Sequence, residues 1–403
     1  MPAPASLEAL LPAIVARRDA PGIACVLFEG TTITWSGAAG IRRLPNISPR
    51  PLELTVDTKA RVASVSKIAT ALTLILEAQD GRIDLDADAS PALGFPLRHP
   101  RFPDSPITPR MALSHTAGIR DAAAYRGVIG ETLEGFFRPD GSRWNEGRHW
   151  AGDGSPLGWF AYANLGMGVV AQMAERLSGE RFDLLARRRI FDPLGIDCGF
   201  NWSGVPDAKV ESGATLYRHS NDGPWTVQVD EAPHLLARPI VAANAGLGVA
   251  DYVTGQNGLV FAPQGGLRAS VMDLAAIGMA LTGARPLLSD RTRAMIAEPV
   301  WRRAPDSSNG DTSGGSFRAF GTGVHIVLPE TDGPVPGLQR PLIGHYGDAY
   351  GLLAGLWVDQ ATTKGFAWFL TGSPSAPRPG ASGINAVEEE VMQAACNQLG
   401  LAG

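Results

Sequence analysis

Apolar segments rich in β-forming residues lie near the two ends of the chain, and helical and irregular segments lie between them. Near the N-terminus, apolar residues recur at helical spacing over 6–18, with Ser6 placed to cap that helix. The β-rich segments 23–28 and 31–35 follow, and Glu29-Gly30 between them predicts a hairpin. Near the C-terminus, the pattern predicts three strands and a final helix, over 323–328, 352–358, 366–370 and 386–399.

The middle of the chain is dominated by helices and loops. A helix predicted over 64–79 is apolar on nearly every side, so we expect it in the interior of the protein. From there to about residue 315 the chain alternates short helices with long loops rich in proline and glycine. Helical periodicity is clearest at 165–177 and 271–281, whereas the polar run 303–317 is expected to be a surface loop.

This distribution predicts the α/β (α+β) class, with one sheet assembled from both ends of the chain and a large helical insertion. Residues 1–85 and 315–403 together would form an α/β sandwich domain. Residues 86–314 would form a mostly helical domain with long loops.

Composition narrows the class of protein further. The 403 residues are 44% hydrophobic and 19% charged, as in soluble globular proteins, and no apolar run is long enough to predict a transmembrane helix. A net charge of −5 excludes the basic footprint of a nucleic-acid-binding protein. The start of the chain lacks a signal-peptide pattern, so we expect a cytoplasmic protein, although removal of an export signal would leave the same sequence. Three widely spaced cysteines form no metal-ligand pattern, and no metal or other cofactor is expected.

The strongest local signal for chemistry is Ser64-Val65-Ser66-Lys67, the one Ser-x-x-Lys sequence in the chain. A serine hydroxyl becomes a good nucleophile only when another group takes its proton. Helical spacing places Lys67 on the face of Ser64, and desolvation lowers the pKa of a buried lysine, which can then accept a proton. The free N–H groups at a helix start can also face a developing oxyanion. The alternative is an N-cap serine beside a lysine whose ammonium reaches solvent.

A second candidate group is Tyr162-Ala163-Asn164. A tyrosine near a cationic lysine can lose or share its proton and act as a general base. An amide two residues further on can orient the lysine and bind a substrate carbonyl. The alternative is a buried tyrosine with an asparagine that caps the helix predicted over 165–177, and both roles can hold together.

A third candidate is His345-Tyr346-Gly347, which follows Gly344 beside a predicted strand. A small glycine at a strand edge lets a substrate lie against the backbone. By itself a His-x-Gly sequence is a weak signal, because a chain with 48 glycines contains such pairs by chance.

In this order, the three motifs resemble those of the serine β-lactamase and penicillin-binding-protein superfamily. The spacing from Ser64 to Tyr162 is similar to that of its branch of class C β-lactamases, D-alanyl-D-alanine peptidases, D-aminopeptidases and family VIII esterases. Three further stretches are similar to segments of that branch: Leu-Ser-His-Thr-Ala-Gly at 113–118, Phe-Asp-Pro-Leu-Gly at 191–195 and Gly-Gly-Leu-Arg-Ala-Ser at 265–270. The resemblance covers about residues 8–399 and is specific for the superfamily, not for a substrate.

The resemblance implies a β-lactamase-like fold, in which an antiparallel sheet flanked by the terminal helices adjoins a mostly helical domain, with the active site between them. It implies that Ser64 is the acylated nucleophile and that Lys67 and Tyr162 share the base and acid work. Asn164 would contact the substrate and Lys67.

The third motif departs from the β-lactamases, which usually carry Lys-Thr-Gly, because His345 and Tyr346 stand in its place. A histidine is mostly neutral at pH 7 and attracts a substrate carboxylate less than a lysine does. The resemblance further implies that the backbone N–H groups of Ser64 and of Asp348, the residue after Gly347, form the oxyanion hole.

We therefore expect a serine hydrolase that acts on a small ester, amide or lactam. We expect it to need no cofactor and to bind neither a nucleic acid nor a membrane. A carboxylesterase-type substrate is favoured, a D-amino-acid peptidase or amidase comes next, and a β-lactamase third. The contrasting class is an acyl-binding sensor that does not turn over its ligand. The oligomeric state stays open.

Overall fold

The structure is a computed structural model of the chain, and it describes residues 6–403 apart from 46–47, 49, 123, 152–157, 221–222, 232–240, 245 and 307. Its α-helices are α1 (Leu7–Ala16), α2 (Ser66–Gln79), α3 (Ser90–Leu93), α4 (Pro109–Leu113), α5 (Asn164–Ser178), α6 (Phe182–Ala186), α7 (Asp207–Glu211), α8 (Val271–Thr282), α9 (Asp290–Ala297) and α10 (Ala386–Leu399). Its strands are β1 (Gly22–Glu29), β2 (Thr32–Arg43), β3 (Leu52–Glu53), β4 (Ala60–Arg61), β5 (Val128–Ile129), β6 (Phe160–Ala161), β7 (Gly199–Phe200), β8 (Leu216–His219), β9 (Thr226–Val229), β10 (Ala242–Ala243), β11 (Leu267–Ala269), β12 (Trp301–Arg302), β13 (Gly310–Asp311), β14 (Ala319–Phe320), β15 (His325–Val327), β16 (Leu342–Ala349), β17 (Leu352–Asp359), β18 (Lys364–Leu370) and β19 (Gly372–Pro374). Single 3₁₀ turns lie at Ala63–Val65, Glu134–Phe136, Asn145–Gly147 and Val249–Asp251, and a π-helical turn lies at Arg187–Phe191.

The largest sheet in the described part of the chain joins its two ends. The strand order is β12-β14-β15-β16-β17-β18-β1-β2-β3, and all neighbours within it are antiparallel. β1 pairs with β18 from Ile23 opposite Leu370 to Glu29 opposite Lys364. On its other side β1 pairs with β2 in the predicted hairpin. The structure thus confirms one sheet built from both ends, in the predicted α/β (α+β) class.

Helices cover both faces of this sheet. The odd-numbered residues of β1 from Ile23 to Leu27 pack in a core that includes residues of α1 and α10. The even-numbered residues from Ala24 to Phe28 pack in a second core that includes residues of α2 and α8. Successive side chains of a strand point to opposite faces, so a strand covered on both sides is apolar at nearly every position.

Helix α2 is the interior helix that the sequence predicted, since every residue from Ser66 to Glu77 is buried. Its start differs from the prediction, because Ser64 lies in the 3₁₀ turn Ala63–Val65 and the α-helix begins at Ser66. Ala63 has φ of 45°, in the left-handed region that alanine rarely adopts. The backbone therefore turns sharply just before Ser64.

The polar run 303–317 is more than the expected surface loop. Within it, β13 pairs in parallel with β6, and Gly310 lies opposite Phe160. The Trp301 indole donates to the backbone oxygen of Asn309 at 3.0 Å. The chain that leads into Tyr162 is therefore attached to this run.

The division into 1–85 with 315–403 and 86–314 stays a prediction. The nine-stranded sheet itself extends to β12 at Trp301–Arg302, and α8 packs on one of its faces. None of the helices in the described part of the chain has the length and apolar character needed to cross a membrane.

Candidate active site

Ser64 lies in a cleft of about 850 Å³, on the short turn between β4 and α2. Val62, at the start of this turn, donates its N–H to the backbone oxygen of Leu267 in β11 at 3.0 Å. Asn164, Gln264 and Asp348 also line the cleft. The volume falls within the range of pockets that bind small molecules.

Lys67 is buried directly beside Ser64. Its Nζ lies 2.9 Å from Ser64 Oγ, 2.7 Å from Asn164 Oδ1 and 2.8 Å from the backbone oxygen of Gln264. The side chain is 1% exposed. Three partners fix the direction of the amine, so that it faces the hydroxyl as the Ser-x-x-Lys spacing predicted.

Burial also changes the acidity of Lys67. Desolvation lowers the pKa of Lys67 to about 7, and the carboxylate of Asp121 raises it by a smaller amount. At neutral pH a substantial fraction of the amine is therefore unprotonated. This fraction can accept the proton of Ser64.

Asp121 is a residue that the sequence reasoning missed. It accepts hydrogen bonds from the backbone N–H groups of Asn164 at 2.7 Å and Leu165 at 3.0 Å, at the start of α5. It also accepts one from Asn164 Nδ2 at 2.9 Å. The sequence left open a capping role for Asn164, but Asp121 accepts from two of the free N–H groups at the start of α5, and Asn164 presents its oxygen to Lys67. Asp121 lies three residues after the stretch 113–118, and no spacing signal marks it.

Tyr162 is held by packing against aromatic rings. The centroid of its ring lies 4.9 Å from that of Phe317, nearly parallel to it, and 4.7 Å from that of His115. Lys67 Nζ lies 4.8 Å from the Tyr162 ring centroid. Phe317 was not singled out in the sequence, where it is an apolar residue at the end of a polar run.

The hydroxyl of Tyr162 stays protonated. Burial raises the pKa of Tyr162 above its usual value, and this effect exceeds that of a hydrogen bond with Ser64, which lowers the pKa. Of the two groups predicted to share base and acid work, Lys67 is thus available at neutral pH as a proton acceptor, whereas Tyr162 is present in its protonated form.

His345 lies on β16, buried against the same rings, 5.8 Å from Tyr162 between ring centroids. Burial and the nearby Lys67 lower the pKa of His345 well below its usual value, so the ring is neutral. Its Nδ1 lies within hydrogen-bonding distance of the backbone oxygen of Tyr346, which can only accept. The third motif therefore brings no cation to the cleft.

Gly347 lets β16 approach the turn that carries Ser64. A Cβ at this position would lie 2.6 Å from the backbone oxygen of Val62, so any larger residue would displace the strand. Because neighbouring side chains of a strand alternate, the side chain of Asp348 points to the other face. There it lies 3.8 Å from Arg218. Asp348 can contribute to the chemistry through its backbone N–H alone, and that role in the oxyanion hole stays a prediction.

The structure thus brings Ser64, Lys67, Tyr162 and Asn164 together from two distant segments, with the third motif against them. This constellation is that of a serine hydrolase of the Ser-x-x-Lys type. A family model described as Beta-lactamase matches residues 7–388, so the chain belongs to the beta-lactamase family, as the resemblance implied.

A D-aminopeptidase from Gluconobacter oxydans (strain 621H) is 29% identical over 205 residues, which are 48% of this chain and 35% of that protein. The aligned part of the chain thus spans about a third of that curated relative. The crystal structure of a D-amino acid amidase from Ochrobactrum anthropi SV3 has a TM-score of 0.67 at 20% identity, with coverage of 97% of this chain and 98% of that one. An octameric penicillin-binding protein homologue from Pyrococcus abyssi has a TM-score of 0.66 at 20% identity, with coverage of 98% and 77%. These two structures share the β-lactamase-like fold.

Proposed function

We propose that the protein hydrolyses amides of D-amino acids, or short peptides that begin with one, through an acyl-enzyme on Ser64. The observation that carries the chemistry is the contact of 2.9 Å between Lys67 Nζ and Ser64 Oγ. Together with a pKa lowered to about 7, this contact makes Lys67 the base for Ser64 at neutral pH.

Acylation begins when Lys67 takes the proton of Ser64 as Oγ attacks the substrate carbonyl carbon. The oxygen of the tetrahedral intermediate, now negatively charged, accepts from the backbone N–H groups of Ser64 and Asp348. On collapse, the bond from carbon to the leaving nitrogen breaks, and Tyr162 protonates that nitrogen. Lys67 returns its proton to Tyr162, which leaves both groups as they began.

Deacylation uses the same groups. Lys67 takes a proton from water as the water oxygen attacks the ester carbon of the acyl-enzyme. When the intermediate collapses, Ser64 Oγ leaves and regains the proton from Lys67. The acid is released, and Asn164 holds the amine of Lys67 in place throughout.

Two observations support an amide substrate. An amine leaves only after protonation, and the hydroxyl of Tyr162, which is protonated at neutral pH, can supply that proton. The aligned relative is a D-aminopeptidase, and one protein of the same fold is a D-amino acid amidase.

Ester hydrolysis, the substrate class that the sequence favoured, is the second candidate. The same Ser64 and Lys67 would cleave an ester more easily, because an alcohol is a better leaving group than an amine. A β-lactam comes third, since neutral His345 offers no fixed charge to a lactam carboxylate.

The test is a substrate panel of D-alanine amide, L-alanine amide, p-nitrophenyl acetate and nitrocefin on the purified protein. We expect D-alanine amide to be hydrolysed at least about tenfold faster than its L-isomer, and Ser64→Ala to lower every rate by about 10³-fold or more. Ser178→Ala, which removes a hydroxyl near the end of α5, is the matched control. Turnover of the ester alone would favour the second candidate, and labelling by a fluorophosphonate without any turnover would favour the sensor.

A further inference from the structure

Among the described residues, three arginines and two aspartates line the cleft that holds Ser64: Arg61, Arg126, Arg268, Asp230 and Asp348. Arg268 and Asp230 neutralise each other, with Nη2 of the arginine 2.9 Å from the carboxylate and both side chains buried. Two arginines, Arg61 and Arg126, and one aspartate, Asp348, remain, and Asp348 lies 3.8 Å from Arg218. The charge that remains on the cleft wall is therefore positive.

Arg61 lies three residues before Ser64 in sequence, on β4. Its Nε donates to the backbone oxygen of Gly265 at 2.8 Å. Among the residues that the structure describes, no carboxylate forms an ion pair with it. Burial and the neighbouring Arg268 lower the pKa of Arg61 to about 10, at which the guanidinium still carries its charge near neutral pH.

Tyr350 holds this guanidinium in place from the other side. The centroid of its ring lies 4.4 Å from Arg61 Cζ. Tyr350 is the first residue of the two-residue turn between β16 and β17, and its φ of 57° is a conformation that favours asparagine or glycine. It is also 43% exposed, unusual for a large aromatic side chain. A strained, exposed tyrosine over a partly buried cation indicates a functional constraint at this place.

We propose that Arg61, fixed by Gly265 and Tyr350, binds a carboxylate of the substrate in the cleft beside Ser64. Gly265 and the Tyr350 side chain take some of the N–H groups of Arg61 and fix its orientation. A guanidinium fixed in this way can offer its other N–H groups to a planar anion, and a carboxylate matches their geometry. The inference rests on the proposed function and adds to it a substrate class, a small acyl compound with a carboxylate. The positive charge for the substrate carboxylate would thus come from Arg61 on β4 and not from the third motif, where His345 is neutral.

The carboxylate has two possible sources, the acyl part and the leaving group. For the acyl part, the matched substrates are the p-nitrophenyl monoester of succinate and p-nitrophenyl butyrate. For the leaving group, they are D-alanylglycine and D-alanylglycinamide. Within each pair the two molecules differ in one charge, so the ratio of their kcat/KM values isolates the contribution of the carboxylate.

In one of the two pairs, we expect the wild-type kcat/KM for the anionic substrate to exceed that for the neutral substrate by about tenfold or more. This is the usual contribution of a hydrogen bond to a charged group. Arg61→Met should abolish this preference, and Arg61→Lys should retain part of it. Arg126→Met removes the same charge from the same cleft and should change the ratio by no more than about twofold. An equal loss on both members of a pair in Arg61→Met would show a structural role and overturn the proposal.

A second measurement does not depend on turnover. In the wild-type protein, butyrate should slow the reaction of Ser64 with a fluorophosphonate more than butyramide does, and Arg61→Met should remove the difference. Equal protection by the two compounds would overturn the carboxylate site. If Ser64 reacts normally with the fluorophosphonate but no substrate is hydrolysed, the proposed hydrolysis is overturned. The protection by butyrate then decides alone whether Arg61 binds a carboxylate.

Discussion

Two sides of Ser64 are built in different ways. On one side, Lys67 is held by three hydrogen bonds, and Asn164 and Asp121 continue the network to the start of α5. On the other side, Tyr162 is held by rings, with His115 and Phe317 at 4.7 and 4.9 Å between centroids. The first can be called the hydrogen-bonded side and the second the aromatic side.

The two groups are kept in place by different kinds of contact. Hydrogen bonds fix the direction of an amine, so the hydrogen-bonded side is sensitive to the loss of a partner or a charge. Packing fixes the position of a ring, so the aromatic side is sensitive to shape. The histidines of the aromatic side are neutral, because burial lowers the pKa values of His115 and His345 well below the usual value. The four predictions below test this contrast, from the largest effect to the smallest.

Replacing the base gives the largest effect. Lys67→Met keeps much of the volume but removes the proton acceptor, so kcat/KM for D-alanine amide and for p-nitrophenyl acetate should both fall by about 10³-fold or more. Circular dichroism should show the wild-type fold. Retention of more than a tenth of the activity would mean that another group deprotonates Ser64.

Removing the hydroxyl of the aromatic side gives the next largest effect. Tyr162→Phe preserves the ring packing, so kcat should fall by about 10²-fold on the amide while the fold stays intact. The loss on p-nitrophenyl acetate should be smaller, because p-nitrophenolate leaves without a proton. Equal losses on the two substrates would argue against Tyr162 as the donor to the leaving group.

The charge of Asp121 should appear in the pH profile. Lys67 must be neutral to act, so kcat/KM of the wild-type protein should rise with pH and level off above about pH 7. Asp121 raises the pKa of Lys67, and Asp121→Asn should therefore move this rise to lower pH, with a plateau lowered about tenfold by the weaker hydrogen bonds to α5.

Tyr125→Phe is the matched control for Asp121. The hydroxyl of Tyr125 also contacts Asn164 Nδ2, at 3.0 Å, but burial raises the pKa of Tyr125 and it carries no charge. In Tyr125→Phe, kcat/KM should therefore rise over the same pH range as in the wild-type protein. A shift of the same size in both variants would assign the effect to Asn164 and not to the charge.

The smallest effect is expected at Phe317. Phe317→Leu removes the ring stacked on Tyr162, and kcat on the amide should fall about three- to tenfold with KM unchanged. The same change made in Tyr162→Phe should cause no further loss, since there is no hydroxyl left to position. Phe95→Leu is the control, because it also removes a ring from a stack, here with Phe137, at a place outside the contacts of Tyr162. It should lower stability without this loss of kcat.

Much of the fold follows from local pattern. The sequence predicts the hairpin of β1 and β2, the interior helix α2 and the final helix α10, because each segment has a clear apolar pattern or apolar run and is bounded by turn residues. The full length of β16 is harder to predict, since two glycines, a histidine and an aspartate interrupt its apolar character. The pairing of β13 with β6 is invisible in the sequence, because each segment has two residues.

The approach of Lys67 to Ser64 can be predicted from the sequence alone, since one helical turn brings residues three apart onto the same face. The family can be predicted from the order and spacing of the three motifs. Three contacts become visible only in the folded chain: Asp121 caps α5, Phe317 packs on Tyr162, and Tyr350 stacks on Arg61. The reason is physical. Periodicity reports which face of an element is buried, whereas contacts between distant segments depend on how loops close between elements, and loops carry no periodicity to read.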